Sequence, residues 1–162
     1  MLISHIVAVS RNFVIGTKNK LPWRMPDDMN YFHRVTIGHV VVMGRKNYEA
    51  NGGALKGRTN IVITRDKSFK PEDAQVAYTI DMGISLAKSH NPEELFIVGG
   101  GEIYRQTLSM ADRIYITMID MEAEGETSYP RIDFNNYKII SRIHKSADKI
   151  NPYNHTYYIL EK

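Results

Sequence analysis

The chain has 162 residues, 43% hydrophobic and 24% charged, with a formal net charge of +3 and a pI of about 9.0. This is the make-up of one globular domain, long enough to bury roughly 70% of its unfolded surface without staples. The absence of cysteine excludes disulfides, thiolate metal sites and cysteine nucleophiles, and basic residues this scattered argue against a nucleic-acid binder, which needs a dense basic stripe.

The first apolar run, Ile3 to Val9, carries Ser4 and His5 and has no basic leader before it. It reads as a buried strand, not a signal peptide. No segment approaches the ~18 apolar residues of a membrane span, and a reducing cytoplasm suits a chain without cysteine. Pro22, Pro26, Asp27 and Asp28 then mark a helix start, because proline and carboxylates both suit a first helical turn. Over Asp27 to Thr36, Asp28, Phe32 and Val35 share one face. Strands follow at Val40 to Met43, Ile61 to Thr64, Leu95 to Val98 and Ile114 to Ile119, separated by helices at Arg45 to Ala50, Met82 to Ser89 and Glu102 to Leu108. Short Val- and Ile-rich runs alternating with helices predict an α/β fold on a mostly parallel sheet. The tail differs: Tyr137 to His144 and Thr156 to Leu160, joined by a polar loop with Asn151-Pro152-Tyr153-Asn154, predict an antiparallel pair added to that sheet. There are no repeats and no linker, so one domain over residues 1–162 is expected.

Candidate chemistry gathers at a few points. A carboxylate on the face shared with Phe32 and Val35 is desolvated, and desolvation raises its pKa. Asp28 can therefore pass protons to a ligand or hold a cationic heterocycle; alternatively, it only stabilises the helix start. Two strands end in glycine and open into a helix, at Met43-Gly44-Arg45-Lys46-Asn47 and at Val98-Gly99-Gly100-Gly101-Glu102. Free N–H groups, the helix dipole and close backbone approach make such junctions anion sites, and two on one sheet suit a dinucleotide's pyrophosphate. Arg65, in Thr64-Arg65-Asp66-Lys67, meets a ribose 2′-phosphate or lies in a solvated turn. Arg58 forms a fork to a ligand carboxylate or is an ordinary surface arginine. The Thr117 hydroxyl, inside an apolar strand, needs a partner; Asp28 or a backbone group would serve. The six histidines show no metal spacing.

The chain resembles bacterial dihydrofolate reductase over nearly its whole length. The resemblance rests on Val14-Ile15-Gly16, Asn19-Lys20-Leu21-Pro22-Trp23, Pro26-Asp27-Asp28, Met43-Gly44-Arg45-Lys46, Gly57-Arg58, Gly99-Gly100-Gly101-Glu102-Ile103-Tyr104 and Gly125-Glu126-Thr127, in that order. It implies an eight-stranded, mostly parallel sheet with an antiparallel C-terminal hairpin and four flanking helices. It implies reduction of dihydrofolate by NADPH, with hydride to C6 and a proton to N5, in support of one-carbon metabolism. By position, Asp28 would bond the pterin and promote N5 protonation, with Thr117 bonding Asp28 and a water. Ile6, Val7, Phe32, His33, Leu55 and Val98 would line the substrate pocket together with Asn51 and Gly53, and Arg58 would grip the glutamate tail. Ala8 and the loop carrying Val14, Ile15, Gly16, Thr17, Asn19, Lys20 and Trp23 would close over the nicotinamide, Leu21 taking the gating position. Gly44, Arg45, Lys46, Asn47, Thr64 and Arg65 would hold the phosphates and adenosine end. Gly99, Gly100, Gly101, Glu102, Ile103, Tyr104 and Gln106, with Thr127, would wrap the pyrophosphate, and Gly99-Gly100 would be a cis peptide. The resemblance also implies antifolate binding, a monomer in the cytoplasm and no macromolecular partner.

The chain departs from the family pattern in the proline-free loop Asn51 to Lys56, in Tyr48 and in Glu126. Asn51, where the family is usually apolar, implies weaker benzoyl-side binding. Two other readings share part of the pattern: a riboflavin-pathway pyrimidine reductase of the same fold, which would lack Asp28 and the Leu21-Pro22-Trp23 string, and a non-catalytic nucleotide-binding module.

Overall fold

The computed structural model describes residues 1–16 and 21–162. The expected residues Thr17, Asn19 and Lys20 lie outside the described residues. Strand β1 (Leu2–Ser10) is central, and β2 (Val14–Gly16) follows it. Helix α1 (Pro26–Thr36), β3 (Val40–Gly44), α2 (Arg45–Ala50), β4 (Thr59–Ile63), β5 (Gln75–Ala77), α3 (Ile80–Ser89), β6 (Glu94–Ile97), α4 (Gly101–Thr107) and β7 (Arg113–Ile119) alternate along the chain. The tail supplies β8 (Thr127–Ser128), β9 (Lys138–Lys145) and β10 (His155–Glu161). The expected boundaries hold to within two residues. Three short strands, β2, β5 and β8, went unread, because two or three residues cannot display a period.

The eight-stranded sheet has the order β5-β4-β3-β6-β1-β7-β10-β9. It is parallel from β5 to β7 and antiparallel at β10 and β9. Strands β2 and β8 form a separate antiparallel ribbon. The parallel part of the sheet is apolar on both faces, as its Val and Ile runs require, whereas β9 at the edge is exposed. One face packs Val42, Ile61, Ile97 and Ile116 against Ile84 and Ala87 of α3 and Ile103 and Tyr104 of α4. The other packs Val41, Met43, Phe96 and Tyr115 against Tyr31, Phe32 and Val35 of α1. Among the described residues, no helix is long and apolar enough to cross a membrane.

Helix α1 starts with Pro26 and has no side-chain cap of its own. Its Asp27 N–H donates instead to Asn151 Oδ1 at 2.9 Å, so the β9–β10 loop caps the helix that carries Asp28. Within the sheet's parallel part, β3 and β6 are neighbours. The two glycine junctions therefore lie side by side, joined by Gly44 N–H to the Gly99 carbonyl at 2.8 Å.

Candidate active site

A cleft of about 840 Å³ opens at the carboxyl ends of β1, β3 and β6, between α1, α2, α4 and the β2–β8 ribbon. This is the crevice in which open α/β sheets place their ligands. One half is apolar, with Ile6, Val7, Phe32, Leu55 and Val98 on its wall. The other half is glycine-rich and charged, with Gly44, Arg45, Lys46, Asn47, Gly100, Gly101 and Glu102.

Asp28 closes the apolar half. It is the only buried carboxyl group among the described residues, 9% exposed. Burial raises its pKa from 3.8 to about 6, while the Thr117 hydroxyl bond and the nearby His155 pull it back. Thr117 is buried at the centre of β7, so the hydroxyl that an apolar strand had to satisfy meets the carboxyl that α1 brings over the sheet. The expectation that Asp28 faces the core with Phe32 is met. It does not cap its helix.

Arg58 stands at the rim. Its Nε donates to the Lys56 carbonyl at 3.0 Å and its Nη1 to Thr36 Oγ1 at 3.1 Å. Thr36 Oγ1 in turn donates to the Phe32 carbonyl at 2.7 Å. Buried Asn60 clamps the supporting loop, accepting from Leu55 N–H at 2.9 Å and donating to the Leu55 and Arg58 carbonyls. Arg58 is thus held on the cleft lining with guanidinium donors left over, the geometry that a carboxylate fork uses. Burial lowers its pKa.

In the glycine-rich half, Gly99 has φ 106°, and a Cβ there would meet the Tyr104 ring at 2.8 Å. The Gly99–Gly100 peptide is cis. A Cβ on Gly100 would meet nothing within 4 Å, so this backbone faces open space where a ligand can approach it directly. Helices α2 and α4 have only six and seven residues. The helix dipole expected at both junctions is correspondingly weak, and anion attraction rests on N–H groups and basic side chains.

Most of the expected site residues meet on this wall, including Ala8, Ile15, Gly16, Leu21, His33, Ile103, Tyr104 and Thr127. Others do not. Trp23 is buried behind the wall with Met25 and Ile119, and its Nε1–H finds no acceptor among the described residues; such a donor suits an oxygen of ligand or solvent. Val14 is buried and its N–H donates to Ser10 Oγ at 3.0 Å. Asn51 is exposed and its amide donates to Asn47 Oδ1 at 3.0 Å; Gly53 backs onto Asp73. Thr64, Arg65 and Gln106 also lie off the wall, Gln106 donating to Glu102. Asn47 spends one donor on the Val98 carbonyl at 2.7 Å, which ties α2 to β6. The Ile6 carbonyl accepts from the Tyr104 hydroxyl at 2.6 Å. Met29, Ala50, Arg105, Glu126 and Ser128 line the cleft as well. Sequence reasoning missed them; Met29 and Arg105 were marked only by their place in the helices that bear Asp28 and Glu102.

A family model described as dihydrofolate reductase matches residues 2–162. The chain belongs to the dihydrofolate reductase family. It is 39% identical over 160 residues to the dihydrofolate reductase of Staphylococcus haemolyticus, covering 99% of this chain and 95% of that one. Its identity to the Bacillus subtilis enzyme is 36% over 161 residues, again 99% and 95% of the two chains. The type 3 dihydrofolate reductase of Salmonella typhimurium is 39% identical over 153 residues, 94% of this chain and 93% of the other. Among solved structures, dihydrofolate reductase from Enterococcus faecalis, complexed with NADP(H) and RAB-propyl, superposes with a TM-score of 0.91 at 29% identity, covering 99% and 95% of the two chains. The eight-stranded sheet with its antiparallel end is thus the dihydrofolate reductase fold, and the cleft lies within it.

Proposed function

We propose that residues 1–162 form a single catalytic domain that reduces dihydrofolate to tetrahydrofolate with NADPH. Asp28 carries this reading: it is a lone buried carboxyl, poised near neutral pH, at the apolar end of a cleft whose other end suits phosphates. A protein that merely held a nucleotide would gain nothing from the cost of burying it.

The residues present fit both ligands. The pterin ring lies in the apolar half, with its N–H groups shared between the Asp28 carboxyl and the second lone pairs of the Ile6 and Val98 carbonyls. Arg58 holds the carboxylate of the glutamate tail through its guanidinium fork. The Gly99–Gly101 backbone would hold the cofactor's pyrophosphate, and Arg45, Lys46, Asn47, Thr64 and Arg65 would hold its adenosine end. When bound, NADPH supplies the hydride that reaches C6 of the pterin. The chain's own share is to stack the two rings in register and keep water out. Asp28 holds a proton within reach of the pterin, so that N5 receives it through a water molecule, and Thr117 fixes the carboxyl's orientation. Leu21, half-exposed on the wall, takes the gating position beside the nicotinamide. Trp23 Nε1–H, without an acceptor among the described residues, would donate to a ligand or water oxygen. Diaminopyrimidine antifolates would place their cationic ring on the same carboxyl.

The domain works as a monomer in the cytoplasm; a dimer mass in sedimentation velocity would contradict that. The direct test of the activity is consumption of NADPH by the purified protein with dihydrofolate. Consumption that depends on dihydrofolate is expected. Binding of NADPH with no such consumption would overturn the reading.

A further inference from the structure

Arg45, which the cofactor reading sets with Arg65 at the adenosine end and which, unlike Arg65, lines the cleft, already faces two carboxylates. Its Nε donates to Glu49 Oε1 at 2.8 Å and its Nη1 to Asp66 Oδ2 at 2.6 Å. The guanidinium carbon lies 4.6 Å from the centre of the Phe69 ring. Arg45 lines the cleft, and Asp66 is ion-paired to it from outside the lining. The β3–β4 register pairs Gly44 with Ile63, which sets Arg45 beside the Thr64–Asp66 segment.

Asp66 is built into its turn. Oδ1 accepts the Ser68 N–H at 2.9 Å and the Ser68 hydroxyl at 2.6 Å, and the Asp66 N–H donates to Thr64 Oγ1 at 3.2 Å. The Ser68 donors first, and Arg45 after them, hold the carboxyl well below its usual range, at about 2. It is therefore charged at every working pH. Glu49, by contrast, is an ordinary exposed partner one helical turn from Arg45.

In dinucleotide folds, an acidic side chain at the end of a strand takes the free ribose hydroxyls, whereas an arginine there takes the 2′-phosphate. This chain carries both, bonded to each other. We infer that Asp66 is a specificity-determining residue: it competes with the adenosine 2′-phosphate of NADPH for Arg45 and so narrows the preference for NADPH over NADH. The inference rests on the cofactor reading above. A 2′-phosphate needs the guanidinium's paired N–H groups, and reaching them means displacing Asp66 or lying against its charge. NADH presents only hydroxyls there and has no such competitor. Both carboxylates are exposed, so the pairing is weak and displaceable. It tunes a ratio and does not block the site.

Asp66→Asn keeps an oxygen for the Ser68 donors while removing the charge that faces Arg45. The Michaelis constants for NADPH and NADH are measured on wild type and variant with dihydrofolate as substrate. The NADPH constant is expected to fall roughly two- to fivefold, the range that one exposed ion pair supports. The NADH constant stays in place, and the difference shrinks at high salt. An unmoved ratio, or equal movement of both constants, overturns the inference. Glu49→Gln, on the exposed face of α2, guards against a misfolded turn: it should shift the ratio the same way, by less, and no shift in it counts against the competition as well. A wild type that reduces no dihydrofolate with NADPH would instead overturn the cofactor reading, so the two failures are distinguishable.

Discussion

At Asp28 the folded protein holds a carboxyl whose pKa is about 6 against 3.8 for the unfolded group. The folded value is the higher one, so the group favours folding below pH 3.8, and that advantage is lost as pH rises through about 6. At neutral pH the ionised, buried carboxyl costs folding on the order of 3 kcal/mol. Asp28→Asn keeps the shape and the bond to Thr117 without the charge. It should raise the melting temperature at neutral pH by several degrees while removing most of the activity. A melting temperature equal to or below that of the wild type would show that Asp28 is not desolvated as described. The position of this residue was legible in the sequence, because Pro26 fixes where the helix begins and the spacing to Phe32 and Val35 fixes its face. The Arg45–Asp66 pair was not legible. Its partners lie 21 residues apart, and only the β3–β4 register brings them together. Asn51 was placed beside the ligand by resemblance alone; as the helix C-cap its amide turns back to Asn47, a local bond that composition does not reveal.

Among the elements, the long strands and α1 to α4 were legible because buried Val and Ile runs and glycine-ended strands are strong local signals. The short ribbon of β2 and β8 was not; α4 packs against it where a Cβ on Gly101 would meet Thr127 Cγ2 at 2.9 Å and the Ser128 carbonyl at 3.1 Å. His5 is the joint between β1, α4 and the segment after β8. Thr107 Oγ1 donates to the Ile103 carbonyl at 2.7 Å, so it accepts from His5 Nε2–H at 2.8 Å. Tyr129 then donates its hydroxyl to His5 Nδ1, also at 2.8 Å. Burial, with Lys162 adding to it and the Thr107 bond opposing, lowers the His5 pKa from 6.5 to about 3. The folded ring stays neutral while the unfolded one charges, so its contribution to stability is whole above pH 6.5 and is lost as pH falls below that, by about 1.4 kcal/mol per unit. His5→Leu should abolish this acid sensitivity in denaturant titrations followed against pH. An unchanged slope would mean that His5 is protonated in the folded state.

For the molecule as a whole, the two buried groups act in opposite directions. Acidification from neutrality relieves Asp28 and penalises His5, and both effects amount to roughly 1–2 kcal/mol by about pH 5. Wild-type stability should therefore change little over that interval, rising with acid in His5→Leu and falling with acid in Asp28→Asn. The same architecture explains why site and scaffold separate so cleanly. The parallel part of the sheet is covered on both faces, so chemistry is confined to the carboxyl-end crevice, where α1 delivers one acid and the two glycine junctions deliver an open backbone. The loop that caps α1 through Asn151 comes from the far end of the chain, a long-range tie that no local pattern predicts. The measurement that bears most directly on this account is the rate of hydride transfer from NADPH to dihydrofolate as a function of pH, for wild type and Asp28→Asn side by side. A wild-type rate that falls as pH rises above about 6, with a mutant deficit that is large at neutral pH and shrinks in acid, is the expected result. A deficit of the same size at every pH would contradict the role of Asp28 in supplying the proton.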